Sequence, residues 1–307
     1  MSEAIKNRYE FTVLFDVENG NPNGDPDAGN MPRVDQETNH GLVTDVCLKR
    51  KIRNYVEAAF GKDKGCRIYI KENVPLERSN NEALEYYKVN PNDKNLKKND
   101  PDIEVKLRNF MCENFFDIRT FGAVMTTFTK GSLNCGQVRG PVQLGFAKSI
   151  DPIMPQEITV TRLVGATEND PPHTMGRKFI VPYALYRVDG YISANFAKVT
   201  GFSEDDLEKL WNAIINMFEL DHSAARGKMS VRRLLVYKHD NPLGNAPAYK
   251  LFDLIKICKK DEDIVPRSYD DYEISINKSD CPKGVTLCEV FADELVGANG
   301  VVIKELA

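Results

Sequence analysis

Between residues 9 and 17, in YEFTVLFDV, apolar side chains return at every second position: Tyr9, Phe11, Val13, Phe15 and Val17. A period of two lays all five on one face of a half-buried β-strand and does not match a helix, whose faces repeat at three and four. The run ends in a loop, ENGNPNGDPDAGN over 18–30, built almost wholly from Asn, Gly, Asp and Pro, and Pro22, Pro26 and Pro32 forbid an interior helix there. A helix then follows, capped by Thr44 or Asp45 and stopped by Gly61. Leu48, Ile52, Tyr55, Val56 and Ala59 make its apolar stripe, while Lys49 and Arg53, four apart, share the opposite face with Arg50 and Lys51 beside them. RIYI (67–70) reads as a second strand. Strand, loop, helix and strand open a split βαβ, ferredoxin-like unit.

Further on, residues 71–116 read as a polar, charged helical insertion. Strand character returns in DIRTFGAVM (117–125) and GQVRGPVQLGFAKSI (136–150). Residues 157–186 read as a hairpin whose two legs, EITVTRLVG and RKFIVPYALY, are joined by a loop too long for a tight turn. SEDDLEKLWNAIINMF (203–218) is the clearest helix, with Ser203 as N-cap, acids in the first turn and a stripe of Leu207, Leu210, Trp211, Ile214, Ile215 and Phe218. VRRLLVYK (231–238) reads as a strand again. The expected class is α+β with strands dominating, one domain with insertions over 1–307.

The composition of 42% hydrophobic residues suffices for one large core, and no run of about 18 apolar residues suggests a membrane span. The N-terminus lacks the apolar stretch of a secretory signal, and seven scattered Cys without a C-x-x-C pair fit reduced thiols, so a cytoplasmic protein is expected. A net charge of −4 is the wrong sign for a dedicated nucleic-acid binder, although a local basic groove survives inside an acidic total.

The opening loop alternates Asp16, Asn19, Asn21, Asn23, Asp25 and Asp27. An EF-hand needs Glu at position 12 and a helix on either side; counted from Asp16, that position is Asp27 and the preceding element is a strand. A calcium loop is therefore disfavoured. An ordinary surface turn and a backbone that approaches phosphates through its N–H groups both stay open. The KRK-x-R face of the helix is either a solvated charge run or one wall of the same groove. Gly122, Gly136, Gly140 and Gly145 interrupt strands that also carry Arg119, Arg139, Lys148, Phe121 and Phe146. That mixture suits single-stranded nucleic acid, and a core with bulges explains it equally well. Catalysis has little support: the four His are scattered, no H-E-x-x-H, G-x-S-x-G or Walker loop occurs, and Asp221-His222-Ser223 are neighbours in sequence, which seldom makes a triad.

Taken together, FDVENGNPNGDPDAGNMPRVD, HGLVTDVCLKRKIRNYV, DIRTFGAVM, GQVRGPVQ and GNAPAYKLF resemble the CRISPR-associated backbone subunit of type I-C Cascade. The resemblance implies an RRM-like palm with an antiparallel sheet, an inserted helical region and a projecting hairpin thumb. It implies a non-catalytic protein without cofactor, several copies of which stack head-to-tail along one crRNA and present it for pairing with target DNA. The partners it implies are a processing subunit, a large subunit and a small subunit. Asn19, Asn21 and Asn23 in the loop and Lys49, Arg50 and Arg53 on the helix would line the crRNA groove. Arg119, Gln137 and Arg139 would sit on the palm beside the RNA, and His173, Met175 and Arg177 near the thumb tip, Met175 as an apolar wedge. The rival function is an RRM-like, metal-independent CRISPR RNA processing endoribonuclease.

Overall fold

The computed structural model describes residues 3–90, 93, 96–126, 128, 133–161, 175–292 and 301–306. Its centre is the alternating strand, β1 (Tyr9–Gly20). Downstream come β2 (His40–Val43), α1 (Asp45–Phe60), α2 (Leu76–Tyr86), α3 (Ile103–Asn114) and α4 (Phe116–Phe121). Five strands follow: β3 (Gly122–Val124), β4 (Gln137–Arg139), β5 (Val142–Leu144), β6 (Ala147–Pro152) and β7 (Gln156–Thr161). The long β8 (Met175–Ile192) leads through α5 (Ala194–Thr200) and α6 (Glu204–Asn216) to β9 (Lys228–His239). Last are α7 (Ala248–Phe252), β10 (Ile255–Lys259), β11 (Tyr272–Ile276), β12 (Val285–Ala292) and β13 (Val301–Glu305).

The main sheet runs β13-β12-β9-β1-β8-β6-β2, with β5 and β7 also paired to β8. Both neighbours of β1 are antiparallel to it, so β8 and β9 run parallel to each other with β1 between them, joined by α5 and α6. The result is a mixed α/β molecule around a large antiparallel sheet.

Odd-numbered residues of β1 behave as their period requires. Phe11, Val13, Phe15 and Val17 pack into a core with Leu48, Ile52 and Val56 of α1 and Leu207, Leu210, Trp211 and Ile214 of α6. Phe11 meets Trp211 edge-on at 5.2 Å, and Phe15 stacks on Tyr186 at 5.3 Å. Each such ring contributes about 1.5–3 kcal/mol by leaving water. Gly190, paired opposite Phe11, is required there, because a Cβ would collide with the Phe11 ring.

The even-numbered face differs from the half-buried strand expected. Glu10, Thr12, Leu14 and Asp16 are buried too, beneath α7 and the β10–β11 pair. Their polar groups are satisfied internally: Glu10 by Arg8 and His239, Thr12 by Asp189 at 2.6 Å, and Asp16 by Arg232 at 2.8 Å and Tyr183 at 3.1 Å. Burial raises the Asp16 pKa, and Arg232 opposes the rise. The alternation on β1 thus marks two kinds of interior, one apolar and one hydrogen-bonded.

Two expected strands are not strands. RIYI makes only a single parallel bridge, Arg67 to Phe115, because the Asp117 carboxylate takes the backbone N–H groups of Tyr69 (2.8 Å) and Ile70 (3.1 Å). Residues 117–121 of the stretch read as strand DIRTFGAVM are helical, and strand begins only at Gly122, whose φ of +83° ends the helix. The charged stretch ahead of it carries apolar residues on α2 and α3, which close a second core around Leu84, Leu107, Phe110 and Met111.

Candidate nucleic-acid interface

The Asn/Gly loop is clamped at both ends. Asn21 donates its backbone N–H to Ala225 (2.8 Å) and its side-chain amide to the Asn30 carbonyl (2.7 Å). The Asn23 side-chain oxygen accepts from both the N–H and the hydroxyl of Thr44, each at 3.0 Å. Thr44 in turn caps α1 by accepting from the Cys47 N–H. Asn19, at a φ of +50°, is exposed where β1 leaves the sheet. Asn21, expected on the RNA, is instead buried, and Asn23 spends its oxygen on the helix cap. Asn21 fixes the loop to itself and to the turn before β9, and Asn23 fixes it to the start of α1.

Docked in this way, the loop forms one wall of a cleft of about 320 Å³. Arg33 enters from the loop, Arg50, Lys51 and Asn54 from α1, and Asp221 and Arg226 from the turn before β9. Four cations and one carboxylate line it. Asp221 is shared between Lys51 and Arg226, the latter at 3.1 Å. Arg33 reaches out to Asp25 at 3.4 Å, and Arg50 pairs with the exposed Glu72. Lys51 is buried under the Phe218 ring, 5.6 Å from its centroid. Burial lowers its pKa to about 8, and the nearby Arg226 and Arg50 charges act in the same direction. Thr44, Val46 and Cys47 also line the cleft, so the positive start of α1 opens into it.

Lys49 and Arg53 turn the other way along α1. Both lie over the Phe121 ring, at 5.6 and 5.2 Å from its centroid. Lys49 is partly buried and pairs with Asp45 at 2.9 Å. Arg53, expected on the exposed face, is buried and pairs with Asp117 at 2.9 Å. Arg119 is corrected in the same sense. It sits inside α4, binds Asp206 through two nitrogens at 2.6 and 2.9 Å, and gives its remaining donors to the carbonyls of Cys112 and Gly65. With its guanidinium so engaged, Arg119 braces α4 against α6.

Gln137 and Arg139 are exposed on β4, paired across from Val124 and Gly122 of β3. They line a cleft of about 430 Å³ that Phe121 also borders, so the Lys49 side of α1 and the β3–β4 ladder meet at one ring. Met175 and Arg177 lie on the β7–β8 arm, whose β7 strand is exposed along its whole length. Met175 is 78% exposed, and Arg177 reaches Glu157 at 3.0 Å. His173 lies outside the described residues.

Asp221, His222 and Ser223 do not converge. Asp221 faces Lys51 and Arg226, while His222 turns to Glu219 at 3.5 Å. Among the described residues no three His, Cys, Asp or Glu side chains gather as a metal cage. No helix among them is long and apolar enough to cross a membrane. Sequence reasoning missed Arg33 and Arg226 and noted Lys51 only as a neighbour of the basic face. The available signal for Arg226 was its place before Gly227, which takes a φ of +64° and packs against the backbone of Asn19.

A family model described as CRISPR-associated protein Cas7 matches residues 7–277. A CRISPR-associated protein Cas7 of Haloferax volcanii is 24% identical over 271 residues, covering 82% of this chain and 75% of that protein. Among solved structures, a chain of a CRISPR RNA-guided surveillance complex in a pre-nicking state is 13% identical with a TM-score of 0.49, over 75% of this chain and 78% of its own. A chain of another CRISPR RNA-guided surveillance complex is also 13% identical, with a TM-score of 0.42, over 75% of this chain and 68% of its own.

Proposed function

The chain belongs to the CRISPR-associated Cas7 family, and from that premise we propose that it is the crRNA-binding backbone subunit of a type I-C Cascade. The observation that carries this reading is the cleft at the start of α1, where four cations meet one carboxylate between the Asn/Gly loop and the 221–226 turn. A local gathering of cations on a protein with a net charge of −4 is suited to a polyanionic strand.

In this reading β1, β8, β9, α1 and α6 are the RRM-like palm, and α2 and α3 belong to its insertion over 71–116. RNA phosphates lie along Arg33, Arg50 and Arg226, with Asn19 at the loop edge and Lys49, Gln137 and Arg139 further along the same strand. Arg53 and Arg119 hold the scaffold beneath. The β7–β8 arm is the base of the thumb within 157–186, and Met175 is its apolar wedge beside a displaced base. Copies stack head-to-tail, a contact that does not close on itself, so RNA length and end-capping partners set filament length. Those partners are the processing, large and small subunits, and target DNA joins through pairing with the guide. The protein is cytoplasmic and cuts nothing.

The test is assembly. Purified protein is mixed with single-stranded RNAs of increasing length in EDTA, and complex mass is followed by light scattering while RNA integrity is read on a gel. One further copy per fixed increment of nucleotides, with intact RNA of any sequence, is the expected result. Mass stopping at one protein per RNA overturns the backbone role, and discrete cleavage of repeat RNA replaces it with the processing nuclease.

A further inference from the structure

Three surface clefts share their walls. The cleft at Gln137 and Arg139 joins a second of about 430 Å³ through Gln143 and Phe196. That one joins a third of about 610 Å³ through Tyr191. Along this line three aromatic rings face solvent: Phe196 at 38% exposure, Tyr191 at 43% and Phe146 at 60%. The strand register sets their order. Tyr191 of β8 lies opposite Gln143 of β5, and Arg187 lies opposite Lys148 of β6. Four residues of strand separate the two pairs, about 13 Å. Phe146 lies between them, in the β5–β6 connection where the Gly145 N–H reaches the Asp189 carbonyl at 3.0 Å.

Charge along the track is positive where it is free. Arg139 is exposed and has no ion pair among the described residues, and Lys148 is half exposed with Asp35 only at 3.6 Å. Asp189 is the one carboxylate lining the three clefts among the described residues, and it is held by Arg187 at 3.0 Å and Thr12 at 2.6 Å. In the third cleft the buried Nδ1 of His40 has no hydrogen-bond partner among the described residues, and a buried polar atom normally has one. Exposed rings interleaved with cations suit unpaired bases, which stack on any aromatic face, and phosphates, which need only a nearby positive charge.

We propose that this track binds a second single-stranded nucleic-acid segment, distinct from the strand at α1, with bases on Phe146 and Tyr191 and phosphates at Lys148 and Arg139. It rests on the proposed function only through Arg139, where the two paths meet. The test uses the full chain, free and assembled on an unlabelled RNA, titrated with fluorescein-labelled 12-mers of oligo(U) and oligo(dT) unrelated to that RNA. Both forms are expected to bind a 12-mer. Phe146→Ala should weaken binding roughly tenfold and Phe146→Ala/Lys148→Ala further, with melting temperature unchanged because both side chains stand in solvent. Ultraviolet cross-links from 4-thiouridine should map to the peptides holding Phe146 and Tyr191. A preference for one 12-mer names the strand as RNA or DNA, and equal binding makes the track tolerant of the sugar; both support the proposal. It is overturned if neither form binds a 12-mer, if the Phe146 variants bind within twofold of wild type, or if a peptide partner and no nucleic acid protects these rings. Failure of stepwise RNA assembly with 12-mer binding intact would sink the backbone reading and leave this one standing.

Discussion

Arg119 and Lys51 show how far a cation's neighbours decide its role. Arg119 is buried, with its donors committed to Asp206 and two carbonyls. Replacing it with alanine removes the counter-charge bound to the Asp206 carboxylate, which keeps its hydrogen bonds from Ser203, a loss of about 3–5 kcal/mol for a broken buried pair. Urea denaturation of Arg119→Ala should show that loss, while the protein still folded should bind RNA with unchanged affinity. Selective loss of RNA affinity at unchanged stability would instead put Arg119 on the ligand. Lys51 yields a pH prediction. Its pKa falls from 10.5, the value expected of the unfolded chain, to about 8 in the fold. Between these values the unfolded chain holds the proton and the folded chain does not, so stability rises with pH. The destabilising effect of the buried charge is complete below about pH 8 and gone above 10.5. The stability difference between wild type and Lys51→Met should therefore shift in favour of wild type from pH 8 to pH 10. RNA affinity should fall over the same range, because the charge facing the cleft is lost. Stability and affinity moving in the same direction would exclude this assignment.

At the scale of elements, the loop after β1 and the start of α1 act as one unit because Asn23 joins them. Its oxygen accepts two hydrogen bonds from Thr44, the residue that caps the helix. Asn23→Ala should cost about 1–2 kcal/mol of stability, since it leaves the Thr44 N–H without this acceptor. It should also weaken RNA binding, because the loop wall carrying Arg33 is released from α1. Asn23→Asp keeps the acceptor and should recover the stability. Its added negative charge beside the cleft should leave RNA binding weak. Recovery of both, or of neither, would argue against a tie that acts through geometry.

For the whole molecule, the contrast between a net charge of −4 and a cleft lined by four cations and one carboxylate predicts a salt signature. Each phosphate neutralised on a single strand contributes about −0.7 to the slope of log affinity against log salt. Arg50→Ala/Arg226→Ala should reduce that slope by about 1.4 per bound copy. An unchanged slope would move the RNA elsewhere on the surface. The buried face of the sheet bears on the same question. Glu10, Asp16 and His239 lie beneath α7 and the β10–β11 pair, so that part of the sheet is closed to a ligand. Tyr191 and Phe146 stand where that cover ends.

What the amino-acid order determined by itself was local. The alternation in β1, the Pro-rich break after it, the Thr44 cap and the stripe of α6 follow from periods of two and 3.6 and from capping chemistry, which depend on near neighbours only. The motifs of the Asn/Gly loop and α1, with DIRTFGAVM, GQVRGPVQ and GNAPAYKLF, also carry the family resemblance. Tertiary structure decided which polar groups face each other across long sequence separations. Asp117 turns RIYI away from strand pairing and takes Arg53 out of solvent, and Asp206 does the same to Arg119 from 87 residues away. Asp221 and Arg226 reach α1 only because β9 returns beside β1. Periodicity assigns a residue to a face, whereas the choice between phosphate ligand and buried brace depends on the group that the fold brings opposite it.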